Sequence, residues 1–195
     1  MGGVSITAKG GAKKELDFGS YRTRHMAFHI MYLGHDYCGL AINTVEGATI
    51  EYHVFQALVT ARLVPTGVHL AKDMQYSRAG RTDKGVSALG QVLSLMVRSR
   101  ARVKGAPLPP LDAEMDYVSI LNRLLPKDIV VVGMKDVAAD FRARFSATHR
   151  CYRYFFPRRQ LNIAAMNEAA GHLVGRHDFQ NFCKIDIMSV ANFER

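Results

Sequence analysis

An α+β fold is what the sequence predicts, and three observations predict it. Segments with the two-residue alternation of strands and the apolar stripe of helices follow one another in mixed order. A chain of 195 residues with 48% hydrophobic content can bury a core in one or two domains. No apolar run is long enough to span a membrane, and no secretory pattern opens the chain.

Residues 1 to about 23 are rich in Gly and Lys without periodicity and read as a loosely ordered leader, so that structure begins at Arg24. His25 to Leu33 is a short apolar run stopped by Gly34, a strand whose exit loop carries His35, Asp36, Tyr37 and Cys38. Thr49 is placed to cap a helix with Ile50, Val54, Ala57, Leu58 and Ala61 on one face. Tyr76 to Gly80 leads into a glycine-rich loop. Beyond it Leu89, Gln91, Leu93, Leu95 and Val97 alternate with Gly90, Val92, Ser94 and Met96, a strand buried on both sides at its middle. From Arg98 to Pro110 the composition turns to Arg, Lys, Gly and Pro, which predicts a loop, either solvated or touching an RNA backbone. Asp112 is expected to cap a helix bearing Met115, Val118, Asn122 and Leu125, ended by Pro126. A strand over Ile129 to Val137, a second over Tyr152 to Phe156 and a helix from about Leu161 to Val174 complete the pattern.

A formal net charge of +9 favours polyanionic partners such as RNA over neutral metabolites. Between Phe141 and Arg159 stand Arg142, Arg144, Arg150, Arg153, Arg158 and Arg159 with no acid among them, interleaved with Phe141, Phe145, Tyr152, Tyr154, Phe155 and Phe156. Such a mixture fits a nucleic-acid face, and it equally fits a strand with its arginines in water. Cys38, Cys151 and Cys183 are odd in number and widely spaced, as reduced intracellular thiols are, so a cytoplasmic or nuclear protein is expected. His149 near Cys151 and His177 near Cys183 lack a repeated zinc spacing, and no metal is expected. The start Met1-Gly2-Gly3-Val4-Ser5-Ile6 lacks the hydroxyl residue that a myristoylation site needs at its sixth position.

The most informative stretch is Gly80-Arg81-Thr82-Asp83-Lys84-Gly85-Val86-Ser87-Ala88-Leu89-Gly90-Gln91. Two glycines free the backbone, and Arg81 and Asp83, two apart in an extended segment, would point to one side. A neighbouring guanidinium lowers a carboxyl pKa and burial raises it, so the pair would give an ionised, partly desolvated oxygen nucleophile. The same residues also make ordinary structural turns.

That run closely resembles the signature of the TruA-type tRNA pseudouridine synthases. Phe141-Arg142-Ala143-Arg144-Phe145-Ser146-Ala147-Thr148 with Tyr152-Arg153-Tyr154 resembles the family's second motif, and Gly175-Arg176-His177-Asp178-Phe179-Gln180-Asn181-Phe182 its third. The resemblance runs from roughly Arg24 to the end. The wording of Lys84-Gly85-Val86-Ser87 and Asn181-Phe182-Cys183-Lys184 is most like the eukaryotic branch acting on tRNA positions 38 and 39.

The resemblance implies a pseudouridine synthase fold of two ferredoxin-like halves, with a mixed, mainly antiparallel sheet and a central cleft. The first half would run from 24 to 110 with 111–138 completing it, and 139–195 would begin a second half that is truncated in this chain. An incomplete enzyme, with an unpaired edge and an uncovered apolar face, is therefore expected. The implied reaction breaks the bond from uracil N1 to ribose C1′, turns the base and rejoins C1′ to C5. It is an isomerisation and calls for no cofactor, nucleotide or metal. Asp83 takes the nucleophile's place, whether it attacks C1′, attacks C6 or promotes loss of the C2′ proton. Arg81 would hold Asp83 ionised or fill the place of the flipped base, and Tyr152 would pack on the target uracil or handle a proton. Arg78, Lys84, Arg142, Arg144, Arg150 and Arg153 are RNA-binding candidates. The implied partner is tRNA, without membrane, and a homodimer is compatible with it. Two readings of other classes stand beside this one: a catalytically silent RNA-binding module, and a metal-dependent nuclease using Asp36, Asp73 and Asp83.

Overall fold

The computed structural model describes residues 16–42, 47–68, 70–105 and 107–182. Most of the predicted leader and the Cys183-Lys184 pair lie outside them. The chain divides into two compact units after Arg150.

The first unit contains β1 (Tyr21–Tyr32), α1 (Ile50–Thr60), α2 (Leu70–Asp73), β2 (Ser77–Arg78), β3 (Ala88–Arg102), α3 (Tyr117–Asn122), β4 (Ile129–Asp136) and α4 (Ala143–Ser146). Its strands form one antiparallel sheet in the order β2-β3-β1-β4. With α1 between β1 and β2, and α3 between β3 and β4, the fold is α+β as predicted. One sheet face carries Met26, Phe28 and Ile30 of β1, Leu93, Leu95 and Val97 of β3, and Ile129 and Val131 of β4. Against it pack Ile50, Val54, Phe55 and Leu58 of α1 with Tyr117 and Leu121 of α3, all removed from water. Tyr117 meets Phe28 edge-on, with ring centroids 6.5 Å apart. Thr49 caps α1 as expected, its hydroxyl accepting the Tyr52 N–H at 3.4 Å. The middle of β3 is buried on both sides, because the Ser94 hydroxyl turns away from the core and accepts the N–H of Ala143, itself buried.

Three boundaries differ from the sequence reading. β1 begins at Tyr21, three residues before Arg24, and β3 runs on to Arg102 through residues predicted as a loop. The two errors share a cause: Tyr21 pairs with Arg102 and Thr23 with Arg98, so each end supplies the backbone partner that lets a charged, poorly alternating segment become strand. The N-cap of α3 is Asp116, whose carboxylate accepts the Ser119 N–H at 3.0 Å, while Asp112 lies in a short 3-10 helix. The two aspartates are one helical turn apart, and periodicity does not choose between them.

The second unit holds α5 (Ile163–Gly171), capped by the Asn162 side chain on the Ala165 N–H at 3.1 Å, and a 3-10 helix over Gln180–Phe182. Residues 151–158 carry no regular structure, contrary to the strand predicted at Tyr152 to Phe156. Alternating aromatic and basic residues give the strand period, yet a strand also needs a neighbouring backbone, and none pairs with this segment among the described residues. No described helix is long and apolar enough to cross a membrane.

Candidate active site

The Gly80–Gln91 run forms most of the loop between β2 and β3 and the first residues of β3 itself. Its shape is fixed from below. Tyr32, buried at the end of β1, places its hydroxyl 2.8 Å from that of Thr82. Burial raises the Tyr32 pKa, only partly offset by its hydrogen bonds to Thr82 and Gln91, and the phenol stays protonated. Gln91 donates to the Gly80 carbonyl at 3.2 Å, and the Leu40 N–H donates to the Thr82 carbonyl at 3.1 Å. Lys84 and Gly85 form a tight turn closed by the Val86 N–H on the Asp83 carbonyl at 3.2 Å. Gly85 has φ +78°, the conformation that favours glycine at the third position of such a turn.

A second loop, following β1, packs against the first. Gly34 gives its N–H to the Ser87 hydroxyl at 2.9 Å, and a Cβ at Gly34 would stand 2.0 Å from the Val86 carbonyl oxygen. Gly39, at φ +94°, brings its Cα side against the Thr82 carbonyl. Tyr37 closes the pair, its carbonyl accepting the Gly85 N–H at 3.1 Å and its hydroxyl donating to Asp128 at 2.8 Å. Burial and then the Asp128 carboxylate hold the Tyr37 hydroxyl well above its ordinary pKa.

Below the start of the loop lies a buried carboxylate that sequence reasoning missed. Glu51 sits on the apolar face of α1 with its side chain 2% exposed. It accepts from the Tyr76 hydroxyl, from Arg78 at 2.5 Å and from the Ile42 N–H at 2.9 Å. Burial opposes the Arg78 charge, but Glu51 and Tyr76 outweigh it and hold the guanidinium above its ordinary pKa. Burial, with Glu51 adding to it, pushes the Tyr76 phenol well up. The signal for Glu51 was a lone acid in line with Phe55 and Leu58, which a helical reading passes over as a surface residue.

Arg81, Asp83 and Lys84 are all exposed at the loop's tip, and no ion pair joins Arg81 to Asp83 among the described residues. Arg150 is brought to the loop's root, donating to the Ala79 carbonyl at 2.6 Å. Arg78 is committed to Glu51 instead of solvent. Arg142 donates to Gln75 at 3.2 Å and to the Phe141 carbonyl at 3.1 Å, and Arg144 lies over the Phe145 ring at 5.4 Å. Tyr152 and Arg153 belong to the second unit, where both are exposed, Tyr152 to 75%. Asp36 contacts His35 at 3.1 Å, and among the described residues Asp36, Asp73 and Asp83 form no group able to hold a metal. His177 hangs on the Val174 carbonyl at 3.0 Å and Asp178 accepts the Gln180 N–H at 2.9 Å, both local contacts in the segment that follows the second unit's helix. Cys38 and Cys151 are free thiols.

Chemically, the arrangement presents one carboxylate on a tip whose flanks are tied to the sheet, with cations beside it. Such a tip keeps its geometry when a polyanion docks and leaves the carboxylate open to a reacting carbon.

No family model matches the chain. It is 45% identical over 196 residues to the tRNA pseudouridine(38/39) synthase of Mus musculus, across 95% of this chain and 40% of that protein. It is 42% identical over 189 residues to the protein of the same name in Saccharomyces cerevisiae, across 94% of this chain and 42% of that protein. The bacterial tRNA pseudouridine synthase A of Moorella thermoacetica is 34% identical over 183 residues, 85% of this chain and 66% of that protein. The chain thus spans about two fifths of the length of the eukaryotic relatives it matches.

Proposed function

The chain belongs to the TruA-type family of tRNA pseudouridine synthases, and from that premise we propose that it converts uridine to pseudouridine in tRNA with Asp83 as the nucleophile. The observation that carries the reading is the anchored Gly80–Gln91 loop, which holds Asp83 exposed between flanks fixed by Tyr32, Leu40 and Gln91. The names of the eukaryotic relatives extend the proposal to the uridines at positions 38 and 39 of the anticodon arm.

In this reading the target base is flipped out of its stack, at a cost of a few kcal/mol, and received by the loop. The N1–C1′ bond breaks and the C5–C1′ bond forms, C5 giving up the proton that N1 gains. Asp83 supplies the electron pair that makes the exchange possible, at C1′, at C6 or as base toward C2′. Arg81 occupies the vacated place in the stack or contacts a flanking phosphate. Tyr152 packs against the uracil. Lys84 and Arg150, at the tip and root of the loop, contact the RNA backbone, and Arg142, Arg144 and Arg153 are further candidates for phosphate contact. The sheet order β2-β3-β1-β4 with crossing helices α1 and α3 supports assigning the first unit as one ferredoxin-like half of a two-half enzyme. A homodimer is part of the same proposal.

The test is Asp83→Asn, which keeps shape and removes nucleophilicity. The expected result is unchanged tRNA binding with pseudouridine formation reduced by at least a hundredfold. Activity within tenfold of the parent would remove Asp83 from the mechanism.

A further inference from the structure

On the reading that tRNA is the substrate, we propose that the end of β3 remote from the catalytic loop is a second RNA-backbone site, built from Arg62, Arg98, Arg100, Arg102 and Lys104 around Tyr21. β3 is 15 residues long, which at about 3.3 Å per residue puts Arg102 roughly 45 Å from Ala88 and the loop before it.

The cluster is held in place by neutral partners. A register shift between β1 and β3 sets the five residues Arg98 to Arg102 against the three from Tyr21 to Thr23. It brings both guanidinium groups to the Tyr21 ring, at 4.9 Å and 3.9 Å from its centroid. Arg98 also donates to the Arg62 carbonyl at 2.7 Å, Arg100 to the Ala113 carbonyl at 3.0 Å and Arg102 to the Ser20 hydroxyl at 2.6 Å. None of the five cations forms an ion pair among the described residues. The local carboxylates are already occupied. Glu114 accepts from Ser99, from the Arg100 and Met115 backbone and lies 3.5 Å from Arg24, and Asp17 accepts the Gly19 N–H.

Like charges gathered without counter-charges repel one another and raise the local potential, which a polyanion relieves. Each arginine has five N–H donors, and Arg98, Arg100 and Arg102 use one or two of theirs here, leaving the remainder of the fork for phosphate oxygens. The immobilisation that phosphate binding would otherwise have to impose is largely in place. Distance then selects the ligand. A short anticodon hairpin seated on the Asp83 loop ends before the cluster, whereas a whole folded tRNA extends to it.

The experiment compares a full-length tRNA transcript with an isolated anticodon stem-loop hairpin, measuring Kd against salt for the protein and for its Arg100→Gln/Arg102→Gln/Lys104→Gln variant. The variant should bind tRNA about tenfold or more weakly, with the slope of log K against log salt reduced by about two to three. Hairpin binding should stay within about twofold, and Arg123→Gln/Lys127→Gln should change neither. Should the triple variant melt early, the single variants Arg100→Gln and Arg102→Gln should each lower the slope by about one. Equal weakening on both RNAs, no change on tRNA, or loss only of binding to anionic lipid vesicles would overturn the proposal. These arms read binding alone, so their failure is separable from failure of Asp83 to catalyse.

Discussion

Tyr32 links the sheet to the Asp83 loop, because one hydroxyl pair joins the last residue of β1 to Thr82, the residue before Asp83. Tyr32→Phe keeps the buried ring and removes the oxygen. Loss of one such bond should cost about 1 kcal/mol of stability, while a loop tip free to shift by a fraction of an ångström should cost roughly tenfold in kcat. Binding of tRNA should be unchanged. Single-turnover kinetics beside equilibrium binding separate the two effects, and an unaltered kcat would reduce Tyr32 to a purely structural part. The sequence reading set Arg81 beside Asp83 to hold it ionised, but both side chains sit on an exposed tip and no ion pair joins them among the described residues. Tyr32, Gly34 and Gly39 were not legible as supports. Their contacts join loops some fifty residues apart, which no local pattern encodes.

At the scale of elements, a partly buried network joins β1, β3, β4 and the approach to α3. Arg24 reaches Asp136, the Pro109 carbonyl and Glu114, and Glu114 in turn accepts from Ser99 and from the Arg100 and Met115 backbone. Burial alone would raise the Glu114 pKa. The Ser99 bond, the two backbone donors and Arg24 outweigh it and hold the carboxyl below its ordinary value. A carboxyl depressed in the folded state adds stability above its unfolded pKa and loses it as pH falls through the folded one. Glu114→Gln should therefore be less stable than the parent by about 1–3 kcal/mol at neutral pH, with the gap narrowing below about pH 4. Urea midpoints taken across that range check it, and a gap independent of pH would contradict the assignment. The helices and central strands that build this unit were readable because their apolar stripes report burial directly. The outer reaches of β1 and β3 were not, because there the strand is held by backbone pairing while the side chains are charged.

Across the whole molecule the two units differ in what protects them. β1, β3, β4, α1 and α3 share one buried core, whereas α5 buries no residue and Tyr154 and Phe155 are 89% and 86% exposed. A helix of nine residues is shorter than the roughly 12–15 that stand alone in water, so packing has to supply what propensity does not. Amide exchange should therefore be slow in β1 and β3 and close to the unprotected rate in α5 and through residues 151–158. Adding tRNA should slow exchange at 151–158 if Tyr152 stacks on the target base and Arg153 meets its phosphates. Tyr152→Ala/Arg153→Gln should cancel that slowing without touching the protection of β1. Protection of α5 equal to that of β1 in the absence of RNA would show that its apolar residues, Met166 among them, are covered by a surface beyond those described. Slowing that survives the double variant would place the RNA contact of this unit on other residues, with Arg158 and Arg159 the next to substitute.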